Sequence, residues 1–263
     1  MDSLALDERR RRELWRQLAT VNDPELDEAV TEMGFIDRAE IDGSGAVAVD
    51  FRLPTYWCSP NFAFLMLEDL RNALAALSWQ PSFRITLHDH MFAEEVNKGI
   101  AEGRGFSEIF GALAEKADLE ALREKFRRKA FQRRQEAVIL ALRAAGLSDE
   151  AVVGLTLAGL DAVRGVDGTV VARYREIVRI RFPQRTPEEA AIVDLDGGAV
   201  DAAGLVAHLA DLRSVRINME FNGALCRGLK GTRYKEVDRV DGEPTLVDFI
   251  AGRVPAQGRP AVI

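Results

Sequence analysis

The 263-residue chain contains few of the residues from which disulfide frameworks and metal sites are usually built. It has two cysteines, Cys58 and Cys226, and three histidines. Two cysteines so far apart in the sequence cannot form the disulfide framework of a small secreted domain. The sequence therefore predicts a protein of the reducing cytoplasm.

Long hydrophobic runs are also lacking. No stretch approaches the roughly 18 consecutive apolar residues of a membrane span. The N-terminal segment is charged and has no apolar core of the signal-peptide type. The net charge of −7 argues against a general affinity for nucleic acid. The sequence thus predicts neither a membrane nor a nucleic acid as partner.

The spacings expected of common catalytic and nucleotide sites are missing as well. No Ser–His–Asp or Cys–His arrangement has a recognisable spacing. The glycine-bearing segment 97–105 follows no predicted strand and lacks the Gly-Lys-Ser/Thr of a phosphate-binding loop. These observations predict a protein without enzymatic turnover. A metal-dependent hydrolase or thiol enzyme is the least favoured of three hypotheses, and the other two are given at the end of this section.

The most informative segment present joins a strand to a helix at Cys58. Residues 47–53 alternate between apolar and polar side chains, which predicts a strand. After Cys58, Ser59 and Pro60 are suited to the N-cap and first turn of a helix. A thiol beside a helix start favours the thiolate, which is the form that binds metal. The alternative is a small buried apolar residue.

Around this segment the sequence predicts an α+β fold. A first helix is expected over residues 4–19, and turn residues 42–45 separate two strand-like runs, which predicts a hairpin. A short helix is expected before Met33, and a third strand over 82–88. Residues 1–90 should therefore form a small helix-backed three-stranded sheet in the order α-β-β-α-β.

The rest of the chain is predicted to be a connector followed by a helical or mixed α+β region. Residues 91–117 form the connector, which includes a short helix, and residues 118–263 the second region. The expected elements there are a helix over 118–145, strands over 170–182 and 215–219, and a turn over 222–228. The Pro- and Gly-rich tail from about residue 252 is expected to be flexible.

Histidines and carboxylates supply a candidate metal site. His88 and His90 would point to the same side if the strand continued, and Glu94 would follow His90 by one helical turn. Such ligands suit Fe(II), Mn(II) or Zn(II), and Cys58 would join them. A solvated strand end, or capping of the next helix by Asp89 and His90, is the alternative. Cys226 is a further candidate ligand, with a structural role as its alternative.

The motif order resembles that of the domain-of-unknown-function-59 family. The resemblance rests on four features in this order: Asp23-Pro24-Glu25, Met33-Gly34-Phe35-Ile36, the hairpin, and Pro54-Thr55-Tyr56 followed by a cysteine and a proline entering a helix. Those small proteins serve iron–sulfur cluster assembly and include the D component of the phenylacetyl-CoA oxygenase system. In the family the cysteine directly precedes the proline, whereas here the order is Cys58-Ser59-Pro60.

The resemblance implies that Asp23, Glu25, Thr55 and Cys58 surround one surface site. Without it, the two carboxylates are simply loop and helix-start residues. The extension after residue 90 is similar to longer proteins of this family found with bacterial binuclear-iron monooxygenases, which are thought to help mature the oxygenase.

The hypothesis is therefore an assembly or maturation factor that transiently holds iron or an iron–sulfur cluster for a client iron enzyme. The client would be an oxygenase or reductase component, and a homodimer is left open. The alternative is a metal-free adaptor or chaperone that docks on an oxygenase partner.

Overall fold

The computed structural model describes the backbone of residues 3–111, 118–234, 239–240 and 243–244, and the side chains of 6–111 and 118–234. The first elements are α1 (Ser3–Leu18), β1 (Asn22–Asp23), β2 (Glu28–Ala29), β3 (Ile36–Ile41), β4 (Val47–Arg52), α2 (Pro60–Ala75), β5 (Phe83–His88), α3 (Ala93–Glu102) and α4 (Phe106–Phe110). The later elements are α5 (Leu119–Ala144), α6 (Asp149–Val153), α7 (Leu157–Leu160), α8 (Gly168–Arg181), α9 (Leu205–Arg233), β6 (Arg239–Val240) and β7 (Glu243–Pro244).

Contacts divide the chain into two compact units. The first unit comprises residues 1–23, 28–117 and 222–263, and the second comprises residues 24–27 and 118–221. The predicted division of the chain into an N-terminal domain, a connector and a second region, with boundaries near residues 90 and 117, stays a prediction. The predicted α+β class is confirmed, since a small sheet with helices precedes a mostly helical region.

The first unit is built on a three-stranded sheet in the order β3-β4-β5. β3 and β4 form the predicted antiparallel hairpin, with Ala39 opposite Val49, whereas β5 pairs parallel to β4, with Ile85 opposite Val49. The parallel pairing follows from the helical crossover α2, because a short turn can join only antiparallel strands.

One face of this sheet is buried beneath helices. β4 alternates strictly, so that Val47, Val49 and Phe51 are buried while the residues between them are only half-buried. Helix α2 contacts β5 and buries eight apolar side chains, and α1 packs against α2. Asn97 of α3 completes the outer edge of β5, because its amide accepts from Leu87 N–H at 2.7 Å and donates to Leu87 C=O at 3.0 Å.

The second unit has its own apolar core, formed mainly by α5 and α8. A polar network lies inside it. Gln135, fully buried, donates to the hydroxyl of Tyr174 at 2.7 Å and to Val193 C=O at 2.9 Å, and it accepts from His208 Nε2. Tyr174 in turn donates to Ala191 C=O at 2.6 Å. Every member therefore has a partner, as buried polar groups require.

Two predicted strands of this region are wrong, because both segments are helical. Residues 170–181 lie in α8 and Phe182 is its C-cap. The helix begins after Asp167, whose side chain accepts a hydrogen bond from Thr169 N–H at 2.8 Å. Its alternating arginines resemble a strand, but Val171, Tyr174 and Val178 are buried at helical spacing. Residues 215–219 lie in α9, where Leu212 and Met219 are buried on one face.

Further corrections concern turns and short helices. The predicted turn 222–228 is part of α9, so its glycines do not end the helix. The segment before Met33 forms the short pair β1–β2 and turns instead of a helix. The connector was predicted to include one short helix, whereas its described residues form two helices, α3 and α4.

The long helix expected at 118–145 is confirmed as α5. The predicted flexible tail from residue 252 lies outside the described residues. No helix among the described residues combines the length and apolar character that a membrane crossing needs.

Candidate functional site

The loop after β4 places Cys58 two residues before Pro60, the first residue of α2, with Ser59 as the N-cap between them. Residues 55–58 form a turn in which Cys58 N–H bonds to Thr55 C=O at 3.5 Å. The Cys58 Sγ lies 3.0 Å from the Thr55 hydroxyl, so either group can donate to the other. Pro60 begins α2 as predicted, but the Ser59 side chain makes no capping hydrogen bond. The thiol is half-buried and hydrogen-bonded by a neighbour in its own turn.

A second loop, directly after β5, holds the Cys58 loop in place. Asp89 has a φ of 52°, which turns the chain at the end of the strand. His90 is buried and its Nε2 donates to Cys58 C=O at 2.7 Å, while Met91 N–H donates to Tyr56 C=O at 2.9 Å. These two bonds connect the loops directly.

The protonation state of His90 follows from its surroundings. Burial lowers its pKa, and the nearby charge of Arg233 lowers the pKa further, against the effect of the hydrogen bond to Cys58 C=O. Its Nδ1 accepts from Phe92 N–H at 3.2 Å. Both ring nitrogens are thus engaged, and the neutral ring positions the backbone of Cys58.

The end of α9 packs against both loops. Tyr234 donates to Leu53 C=O at 3.2 Å, and Arg233 donates to Leu53 C=O at 3.4 Å and also to Asp89 C=O. The Tyr234 ring lies 5.2 Å from the guanidinium of Arg52 and 5.1 Å from that of Arg233. Arg233 and Tyr234 were not expected at this site, and no local signal in the sequence places them there, because they follow Cys58 by more than 170 positions.

Large apolar side chains surround the loop and remain open to solvent. Trp57 is 73% exposed, Tyr56 51% and Met91 45%. Tyr56 and Met91 belong to the two hydrogen-bonded loops, and Trp57 directly precedes Cys58. Exposed aromatic and Met side chains on an ordered loop are typical of protein-binding surfaces.

The structure brings three of the predicted site residues together: Thr55, Cys58 and His90. His88 does not share the direction of His90, because its Nε2 bonds to Asp50 at 3.0 Å on the sheet. Glu94 is exposed in the first turn of α3. Within the described ranges, no group of three or more His, Cys, Asp or Glu side chains could hold a metal ion. The four predicted ligands thus do not form one coordination sphere, and iron binding by any of them stays a prediction.

The remaining predicted residues lie elsewhere in their units. Asp23 is buried in β1, and Cys226 is half-buried in α9. Glu25 belongs to the second unit, where its carboxylate lies 3.5 Å from Lys129 Nζ. The role implied for Asp23 and Glu25 at a common surface site stays a prediction.

Comparison with known proteins adds one finding about the N-terminal part. No curated protein matches the chain. Residues 11–86, which run from α1 into β5 and include Thr55 and Cys58, match the model of a family described as iron-sulfur cluster assembly protein. This segment therefore resembles an iron–sulfur cluster assembly protein, and the match supports a role related to that process.

Proposed function

We propose that the chain is an assembly or maturation factor that carries iron or an iron–sulfur cluster to a client iron enzyme, without turnover of its own. The observation that carries the proposal is the position of Cys58. It lies within the matched segment, next to exposed Trp57, and it is held by Thr55 and His90. The client would be an oxygenase or reductase component of a multicomponent monooxygenase.

A single positioned thiol suits a transient carrier. Thiolate is a strong ligand for iron and for iron–sulfur clusters, but one thiolate leaves most coordination positions to other donors. Those donors would come from solvent, a small thiol or the client. Cargo with one protein ligand can leave when a client offers more, so weak retention favours transfer. The Thr55 hydroxyl at the thiol and the bond from His90 to the Cys58 carbonyl would limit the orientations of this side chain.

The exposed side chains beside Cys58 would provide the contact with the client. Trp57, Tyr56 and Met91 are of the types enriched at binding hot spots. Docking through them would bring the client's own ligands close to the thiol. The same surface also favours the second candidate, a metal-free adaptor that docks on an oxygenase partner through Trp57 without carrying cargo.

Anaerobic reconstitution distinguishes the two candidates. The full chain is dialysed to equilibrium against Fe(II), with and without sulfide, and examined by metal counting relative to the dialysis buffer and by absorption spectroscopy. A carrier retains iron above background, and Cys58→Ala abolishes that retention. Cys226→Ala is the matched control, because it removes the other cysteine and should leave binding unchanged.

Each other result has a definite meaning. Equal background iron in the wild type and Cys58→Ala would eliminate the carrier and favour the adaptor. A loss confined to His88→Ala and His90→Ala would instead indicate a mononuclear iron site on histidine. The folded state of each variant is checked by circular dichroism, since His90 also supports the loop.

A further inference from the structure

The second unit contains a pocket that the proposed carrier function does not use. It has a volume of about 550 Å³ and lies beside α8, between α7 and the segment after Phe182. Pockets of this size are typical of small-molecule sites. Its apolar lining includes Leu160, Val171 and Val178, which are buried, and the half-buried ring of Phe182.

The pocket lining carries more positive than negative charge, and its two acidic side chains are already paired. Arg175 is paired with Asp161, and Glu176 accepts from Arg134 at 2.9 Å. Both acids of the lining are thus engaged. Arg179 and Arg185 also line the pocket, and neither has a carboxylate partner among the described side chains.

The two arginines differ in how they are held. Arg185 donates to Gly197 C=O at 2.9 Å and to Ala190 C=O at 2.7 Å, so its charge is fixed at the wall without being neutralised. Arg179 is exposed, and none of the described groups forms a hydrogen bond or ion pair with it. A cleft that combines apolar side chains with an unpaired guanidinium is complementary to a ligand that is apolar at one end and anionic at the other.

We propose that this pocket binds a small amphipathic anion, an organic acid with one carboxylate and an unbranched apolar chain. The chain would lie against Leu160, Val171 and Phe182, and the carboxylate would accept hydrogen bonds from Arg179. Arg185 would add attraction without direct contact. The proposal is independent of iron binding, because every residue it uses lies in α7, α8 or the segment after α8.

The probe is decanoate, titrated below its micelle concentration into the full chain by isothermal titration calorimetry. We expect saturable binding at one site. Arg179→Gln should weaken it by about tenfold, since a charge-assisted hydrogen bond to a carboxylate contributes on that order. Arg179→Lys should restore part of the affinity. Arg164→Gln, which removes an exposed arginine outside the lining, should leave the affinity unchanged.

Two further titrations separate the apolar and charged contributions. Ala172→Phe places a ring in the mouth of the pocket at an exposed helical position, so binding should be lost while the unfolding temperature is kept. Decylamine, with the same number of carbon atoms and the opposite charge, should bind at least tenfold more weakly than decanoate. No saturable decanoate binding, equal affinities for decanoate and decylamine, or an unchanged affinity in Arg179→Gln would each overturn the proposal.

Discussion

The buried carboxylate of Asp27 shows how one side chain can organise its surroundings. Its two oxygens accept from Arg134 Nη2 at 2.6 Å and Nε at 2.8 Å, a bidentate pair inside the second unit. Arg173 donates to the Asp27 backbone carbonyl at 2.8 Å. Burial acts against the charge of Arg134, but the hydrogen bonds to Asp27 raise its pKa overall. The turn 24–27 is thus held by ionic contacts with α5 and α8.

Replacing Asp27 by Asn should destabilise the second unit by about 1–3 kcal/mol, because the buried Arg134 guanidinium loses its closest negative charge and keeps only Glu176 as an ionic partner. Asn tolerates the φ of 53° at this position, so the change isolates the charge from backbone strain. Urea unfolding measures the effect. Glu8→Gln is the control, since its pair with Arg12 is exposed and should cost less than about 1 kcal/mol. Equal losses in the two variants would contradict this account.

At the scale of elements, α3 and α4 contact each other through a glycine. A Cβ added at Gly99 would lie 2.1 Å from Ile109 Cδ1 and 2.4 Å from its Cγ1. The side chain of Ile109 is β-branched and stiff, so it cannot easily move away. Close approach between the two short helices therefore requires glycine here, although alanine would be the better helix former.

Gly99→Ala should lower the free energy of unfolding by about 1–3 kcal/mol through overpacking. In an Ile109→Ala background the same substitution should instead be neutral or stabilising by up to about 1 kcal/mol, because only the helix propensity remains. Thermal unfolding of the four proteins forms a double-mutant cycle. Gly168→Ala at the start of α8, where the added Cβ meets nothing within 4 Å, is the control. A loss that persists in the Ile109→Ala background would exclude the clash as its cause.

Across the whole molecule, each unit contains a histidine that folding keeps neutral. Burial lowers the pKa of His90 in the first unit and of His208 in the second, where Asp211 and Asp194 oppose the shift without reversing it. In the unfolded chain both groups titrate near the ordinary value of 6.5. The unfolded state therefore binds more protons below that pH.

The protein should consequently lose stability as the pH falls from about 7 toward 5. The contribution of each histidine is present above its unfolded pKa and is lost as the pH falls through its lower folded pKa. Urea unfolding at pH 7.5, 6.5, 5.5 and 5.0 measures the slope. The variant His90→Gln/His208→Gln should show a shallower slope in this window, at some cost in stability at pH 7.5. An unchanged slope would mean that other groups dominate acid destabilisation.

The first unit was largely predictable because its signals are local. Alternation in residues 47–53, turn residues at 42–45 and helical spacing after Pro60 all lie within a few residues of the elements they specify, and these elements are present. In residues 170–182, by contrast, the alternating arginines gave the wrong prediction of a strand. The local spacing is compatible with the period of a strand and with that of a helix. The segment is helical because this conformation buries Tyr174 and Val178 against α5 in the core.

Local patterns in the sequence suffice for the helix–hairpin–helix–strand order and for the position of Cys58 beside Thr55, because neighbours in a turn are neighbours in space. The surroundings of Cys58 depend instead on long-range contacts of the folded chain. His90 is engaged with the Cys58 carbonyl, His88 with Asp50, and Arg233 and Tyr234 with the ends of both loops. These contacts join residues that are distant in the chain. Residue type alone does not tell whether a histidine is free to bind a metal or is engaged in a structural hydrogen bond, because that depends on burial and on the partners that folding brings close.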